Sequence, residues 1–269
     1  MSHLFRSVLA ALCICAGQGQ AHEFWIEPEA YAVAPGEMAA ARFRNGEHFK
    51  GSTLSWIPRR AVSFEVIDAD GRRDVPARIG DNPAFAMDDL APGLVTILHE
   101  TTDTTLTYDD FETFERFAAH KALGDAPARH LARGLPRDAV RERYRRYAKA
   151  LVAVGDGAGQ DARSGLLTEF VLGANPYADD LSGGLPVQVW LGDAPKAGAQ
   201  IEMFDKAPDG SVDVTLHDAD AEGRAVLPVV EGHSYLLDSV TLEEVEPIED
   251  GDPAWASLWA ALTFAVPEE

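Results

Sequence analysis

Val62-Ser63-Phe64-Glu65-Val66-Ile67, followed at once by Asp68-Ala69-Asp70-Gly71, decides how the chain folds. Apolar and polar residues alternate with period two and then meet an Asp-Gly turn, which predicts a half-buried strand entering a β-hairpin. The same punctuation recurs on either side, from His22 to about Asp103. Pro35-Gly36, Asn45-Gly46, Asp81-Asn82-Pro83 and Ala91-Pro92-Gly93 separate short apolar runs, and Leu94-Val95-Thr96-Ile97-Leu98 alternates in turn. Turn signals at this spacing predict an antiparallel β-sandwich over residues 22–104.

The rhythm returns at the other end of the chain. Leu185 to Leu191 and Ala199 to Phe204 alternate, Asp218-Ala219-Asp220-Ala221-Glu222-Gly223 turns into Arg224-Ala225-Val226-Leu227, and Leu262-Thr263-Phe264-Ala265-Val266 closes the set. A second immunoglobulin-like sandwich is expected over 165–267. Between the two the period changes. Phe111, Phe114, Phe117 and Leu123 recur at helical spacing, and a second helix is expected from Pro136, with Val140, Tyr144, Tyr147, Ala148 and Leu151 on one side. The expected class is therefore mainly β: two immunoglobulin-like antiparallel β-sandwich domains joined by a helical connector (105–154) and a mobile Gly-, Asp- and Ala-rich linker (155–164). Arg137, Arg141, Arg143, Arg145, Arg146 and Lys149 would form a solvated basic face on the second helix, paired with nearby carboxylates.

Residues 1–21 read as a cleaved signal peptide. Arg6 supplies the charge, Val8 to Ala16 a short apolar run, and Gly19-Gln20-Ala21 the small residues that a signal peptidase reads. Both cysteines, Cys13 and Cys15, fall inside it, so the mature chain has no thiol ligand, disulfide or cysteine nucleophile. Cleavage removes Arg6 and no acid, taking the net charge from −21 to −22. Such a chain repels nucleic acid and anionic membrane. With no later apolar run long enough to span a bilayer, the expected location is the periplasm or the cell exterior.

Cleavage after Ala21 makes His22 the first residue. Its free amine and imidazole can then close a six-membered chelate ring on a metal, which no internal histidine can do. Both groups shed their protons easily near neutral pH, at about 7.7 and 6.5, and nitrogen donors favour copper, then nickel, then cobalt. If residues 22–32 and 38–49 pair about Pro35-Gly36, His22 lies beside Phe49 and His48 comes within one position, with a bulge at Asn45-Gly46 needed to bring both rings to one face. His99 could approach the same rim from the strand after Pro92-Gly93. The expected metal ligands are His22, His48 and His99, with Glu23 and Glu47 donating oxygen or orienting a ring. His120, His130, His217 and His233 read as structural or surface residues. There is no phosphate-cradling glycine loop, G-x-S-x-G elbow or H-E-x-x-H. The acidic run 243–252 reads as a solvated loop, and Trp255 and Trp259 as packing residues.

Several segments in order resemble the bacterial domain of unknown function 4198 family, also described as nickel-transport-complex M-subunit-like. They are Ala21-His22-Glu23-Phe24-Trp25-Ile26-Glu27-Pro28, Gly46-Glu47-His48-Phe49-Lys50-Gly51, Arg143-Tyr144 with Tyr147 to Leu151, Asn175-Pro176-Tyr177, Asp218-Ala219-Asp220 with Gly223-Arg224, and Trp255 to Phe264. The resemblance implies an exported protein with immunoglobulin-like domains and a role in transition-metal uptake. Ser239-Val240-Thr241-Leu242 departs from it, since relatives often carry a histidine there, and this withdraws the second domain from a metal role.

The expected function is thus a non-enzymatic, exported binder of nickel, cobalt or copper, accessory to a membrane metal transporter. A structural or adhesive tandem module without metal chemistry is a second class. A copper oxidase acting on polysaccharide, which also uses a terminal histidine on a β-sandwich, is a third. It is disfavoured because residue 22 has no flat row of exposed aromatics beside it.

Overall fold

The alternation at Val62 is realised as a strand running Ala61–Asp68, with Phe64, Val66 and Asp68 inward and the Asp70-Gly71 turn leading to its partner. It belongs to a computed structural model that describes residues 22–268, so the expected signal peptide lies outside the described residues. The chain begins with β1 (Glu23–Pro28), β2 (Ala32–Val33), β3 (Ala39–Glu47), β4 (Lys50–Leu54), β5 (Ala61–Asp68) and β6 (Gly71–Asp74). β7 (Phe85–Met87), β8 (Gly93–Thr101), β9 (Thr104–Thr107), α1 (Phe111–His120) and α2 (Ala126–Ala132) come next. After these lie β10 (Arg141–Val154), β11 (Thr168–Leu172), β12 (Leu185–Leu191), β13 (Ala194–Pro195) and β14 (Gln200–Lys206). β15 (Val212–Asp218), β16 (Arg224–Leu227), β17 (Ser234–Glu244) and β18 (Trp255–Ala265) complete the described set.

A ten-stranded sheet, ordered β15-β14-β17-β18-β10-β8-β5-β6 with β2 and β9 also on β10, runs through the molecule. Two four-stranded sheets flank it, one of β1, β3, β4 and β7 and the other of β11, β12, β13 and β16. The large sheet is joined in its middle by β10 and β18, which pair in parallel from Glu142↔Trp255 to Ala150↔Thr263.

β10 explains this arrangement. Its even residues Ala148, Ala150, Val152 and Val154 pack into one core with Phe24, Ile26, Phe43, Val66 and Ile97. Its odd residue Leu151 packs into the other, with Phe170, Val189, Ile201, Leu262 and Phe264. Successive strand residues point to opposite faces, so the two small sheets cover opposite faces of the large one. A side chain that leaves water for either core contributes roughly 1.5–3 kcal/mol.

The second helix expected from Pro136 is therefore replaced by a strand. Arg, Ala and Leu favour helix in isolation, but β18 pairs with Glu142–Ala150, β9 with Arg141–Tyr144 and β8 with Leu151–Val154, and this tertiary context overrides a weak propensity. The basic row is correspondingly a strand row of period two. Arg143 and Arg145 pair with Asp103, while Arg146 points the other way into the interior. The helix at Phe111 is as expected, capped by Asp110, whose carboxylate accepts from the Thr113 amide at 2.7 Å, and it buries Phe111, Phe114 and Ala118 against Tyr108 and Trp255. A shorter α2 takes the second helical position.

The stretch 155–164 is tied down rather than mobile. Leu94 donates its amide to the Ala158 carbonyl, the Asn175 side chain donates to the Gly157 and Gly159 carbonyls, and Asp161 is buried on Lys149 at 2.6 Å. β1 crosses over β10 and β18, where Ala148, Ala150 and Ala261 leave room for its backbone, and the Thr263 hydroxyl donates to the Ile26 carbonyl at 2.6 Å. That crossing suspends the start of β1 between the two halves of the molecule.

Candidate functional site

The site is built where β1 begins. β1 and β3 pair antiparallel with Glu23 facing Gly46 and Phe24 facing Asn45. His22 consequently falls opposite Glu47, its Nε2 3.5 Å from Glu47 Oε1. The expected pairing with Phe49 is two residues out, and the register runs through Asn45 and Gly46 without the expected bulge. The reason lies in the next hairpin. Lys50 pairs with Glu47, so His48 and Phe49 form a two-residue turn and cannot extend β3. The glycines at 46 and 51 permit the close approach, since a Cβ on Gly51 would lie 2.5 Å from the Asn45 carbonyl oxygen and one on Gly46 would strike that of Lys50.

Both turn residues hold positive φ, +52° at His48 and +56° at Phe49. Turns of this hand are normally made by Asn-Gly, and a left-handed L-residue costs roughly 1–2 kcal/mol. Burial of Phe49 edge-on against Trp25, with the Lys206 ammonium 4.5 Å from its ring centre, holds the turn in place. His48 is left exposed at the tip, next to Glu47 and across from His22. The structure thus sets His22 beside Glu47, with His48 next in the chain at the exposed turn; among the described residues the only group of three such side chains with ligand atoms within 4.8 Å of one another is Glu23, Glu202 and Asp238.

His99 goes elsewhere. It sits on β8 opposite Phe64, is 4 % exposed, and stacks on Phe43 with ring centres 4.4 Å apart. Its Nδ1 donates to the Ser63 carbonyl at 2.8 Å, so its contacts among the described residues are that carbonyl and aromatic rings rather than the other two histidines. The strand carrying it does not border β1, which is why the expected meeting at the rim fails. Burial holds this imidazole down at about 4 from its ordinary 6.5, against the pull of the Ser63 bond. Above pH 6.5 the ring is neutral whether folded or unfolded. As pH falls from 6.5 towards 4 the unfolded chain takes up a proton that the folded one refuses, and stability declines by about 3 kcal/mol, at about 1.4 kcal/mol per unit. His99→Phe, which keeps the stacking, is expected to remove that decline. The difference between the two urea-unfolding profiles over this window isolates the histidine, and parallel profiles would refute the assignment.

Beneath the rim lies an ion cluster for which the sequence carries no signal. Glu23 points inward from β1 towards Glu202 on β14 and Asp238 on β17, with carboxylate oxygens within 4.8 Å of one another. A cation belongs at their centre, and Lys121, the residue after α1, supplies it. Its ammonium donates to Glu202 at 2.5 Å, Asp238 at 2.9 Å and Glu23 at 3.1 Å, and lies 5.0 Å from the centre of the Trp259 ring. Three donor hydrogens meet three carboxylates, so the triad is an occupied salt bridge. Burial raises Glu23 to about 7 against the pull of Lys121, and raises Asp238 likewise. At Glu202 burial is outweighed by hydrogen bonds from His120 and Lys121 and by their charges, and its carboxyl falls to about 2. His120, read as a structural or surface residue, is half-exposed and an ion partner of Glu202 at 3.2 Å.

The remaining candidates are structural. His130 accepts from the Trp255 indole at 3.0 Å and donates to the Pro136 carbonyl at 2.8 Å, and His233 meets Asp205. Trp255 and Trp259 are buried under the helices, and Glu244 of the acidic run pairs with Arg129.

These features define a mainly β protein in which two antiparallel sheets flank a mixed one, with exposed His22 and His48 near Glu47 at one end of the first hairpin and a buried ion cluster beside it. The chain belongs to the domain of unknown function family DUF4198, whose profile matches residues 19–243. Among curated proteins, none matches it. Among solved structures, the D0-D1 domain of intimin aligns over 90% of this chain and 97% of its own, at 12% identity and a TM-score of 0.20. A tetra-tandem repeat from the extending region of a large adhesion protein aligns over 90% of this chain at 11% identity and a TM-score of 0.19, and the chain spans 49% of its length. Among the described residues no helix is long and apolar enough to cross a membrane.

Proposed function

We propose that the protein is exported, processed after Ala21, and binds a transition-metal ion at the rim formed by His22 and His48, as a non-enzymatic accessory to metal uptake built on two immunoglobulin-like units. The observation that carries this is the 3.5 Å approach of Glu47 Oε1 to His22 Nε2. A carboxylate at Nε2 favours the proton on that nitrogen and leaves the lone pair on Nδ1. Nδ1 is the atom that closes a six-membered ring with the terminal amine. His48, at the turn of the same hairpin, would supply the further nitrogen by turning its exposed side chain towards His22, and the donor set favours copper, nickel or cobalt over calcium or magnesium. His99 has no part in it, being engaged in the aromatic core.

The test is calorimetry with nickel, cobalt and copper on a chain beginning at His22. His22→Ala, and a glycine added ahead of His22 to block the amine, are each expected to weaken binding at least about a hundredfold. Equal affinity in all three proteins would end the proposal. His48→Gly is expected to weaken binding about tenfold while raising stability by up to about 1 kcal/mol, because glycine accepts the left-handed turn without strain. Loss of stability in that variant would show that the histidine serves the fold.

A further inference from the structure

A separate cleft of about 340 Å³ opens between β3, β8 and β10, and its lining includes Phe43, Trp56, His99, Tyr144, Arg146 and Thr104. Arg146 is the unusual member. It is 6 % exposed, yet its guanidinium makes no ion pair or hydrogen bond with any described residue, and its Nη1 is buried without a partner. It lies instead against aromatic faces, 4.5 Å from the centre of Trp259 and 5.0 Å from that of Tyr144. The other two buried cations, Lys121 and Lys149, each have a carboxylate within 2.6 Å. A buried guanidinium without a hydrogen-bonded anion is costly, and its planar fork matches a carboxylate. His99 adds a complementary group. With Nδ1 donating to Ser63, its Nε2 is an acceptor.

We propose that this cleft binds a small organic carboxylate with a planar apolar body. The carboxylate pairs with Arg146, the body lies against Phe43 and Trp56, and a hydroxyl or amine on the body donates to His99 Nε2. A volume of this size suits a single-ring acid.

The experiment is titration calorimetry of the purified chain with 4-hydroxybenzoate, and with 4-hydroxybenzamide as the uncharged control. Saturable binding of the acid at millimolar concentration or below is expected, at least about tenfold weaker for the amide, which lacks the charge-assisted pair. Arg146→Met is expected to abolish binding with the melting temperature unchanged or raised, since it removes an unpaired buried charge. Thr104→Trp, made at an exposed edge-strand position, is expected to plug the mouth and abolish binding as well. His22→Ala is expected to bind the acid normally, which separates this site from the metal rim. No saturable binding of the acid, equal affinity for acid and amide, or undiminished binding in Thr104→Trp would overturn the proposal.

Discussion

Lys121→Met is expected to lower stability by about 3–5 kcal/mol, the usual consequence of leaving buried charges without their partner. The variant keeps the bulk of the side chain over Trp259 but strands Glu23, Glu202 and Asp238, which the wild-type ammonium holds together at 2.5–3.1 Å. The loss depends on pH with a definite sign. Glu23, raised by burial to about 7 from 4.5, already holds in the folded state a proton that the unfolded chain releases. Its contribution is therefore greatest below pH 4.5, declines between 4.5 and 7, and is flat above. Without Lys121 the carboxylates repel one another unopposed, so the declining window extends upward and the variant is least stable in alkali. Urea unfolding at pH 5 and pH 8 measures this. A deficit that is the same at both, or one that Glu23→Gln in the same chain fails to reduce at pH 8, would show that the cluster is not the source.

Lys149→Met is expected to have an effect of similar size, about 3–5 kcal/mol, with a local signature. Lys149 is 1 % exposed on the face of β10 that carries Leu151, and its ammonium reaches Asp161 at 2.6 Å and the carbonyls of Ala162 and Phe170 at 3.1 Å. Removing it leaves an aspartate and two carbonyls short of a donor in the interior. Because Asp161 and Ala162 belong to the segment after β10, that segment is expected to detach before the sheets unfold. Limited proteolysis should then cut the variant between residues 155 and 164 while leaving the wild type whole. Protection equal to that of the wild type, together with unchanged unfolding, would mean that other contacts fasten the segment.

Much of the fold was legible wherever one face of a strand meets water. Ala61–Asp68 and Leu185–Leu191 alternate because each presents polar residues to solvent, whereas Gln200–Lys206 alternates although its Glu202 turns into the buried ion cluster. The pattern fails at β10, which is buried on both faces along its C-terminal half and so loses alternation, leaving a run of Arg, Ala and Leu that propensity alone assigns to helix. The linker was misread for a related reason. Its glycines and aspartates signal irregular backbone, yet irregular backbone is rigid when Asn175, Lys149 and β8 bond it. At the rim, His22, Glu47 and His48 could be named because they are close in sequence to a single hairpin. The four groups of the ion cluster, at positions 23, 121, 202 and 238, lie too far apart in the chain for any spacing rule to join them.

What the amino-acid order determined by itself is local: the turns, the half-exposed strands, the first helix with its Asp110 cap, and a histidine at the head of the first strand. Only the tertiary structure decided that β10 would be a strand with a core on each face, that His99 would stack on Phe43 out of the reach of His22, and that Lys121 would close on three distant carboxylates. The division is physical. A turn or cap is stabilised by groups within a few residues, whereas a fully buried strand or a buried charge takes its conformation from partners that only folding brings near.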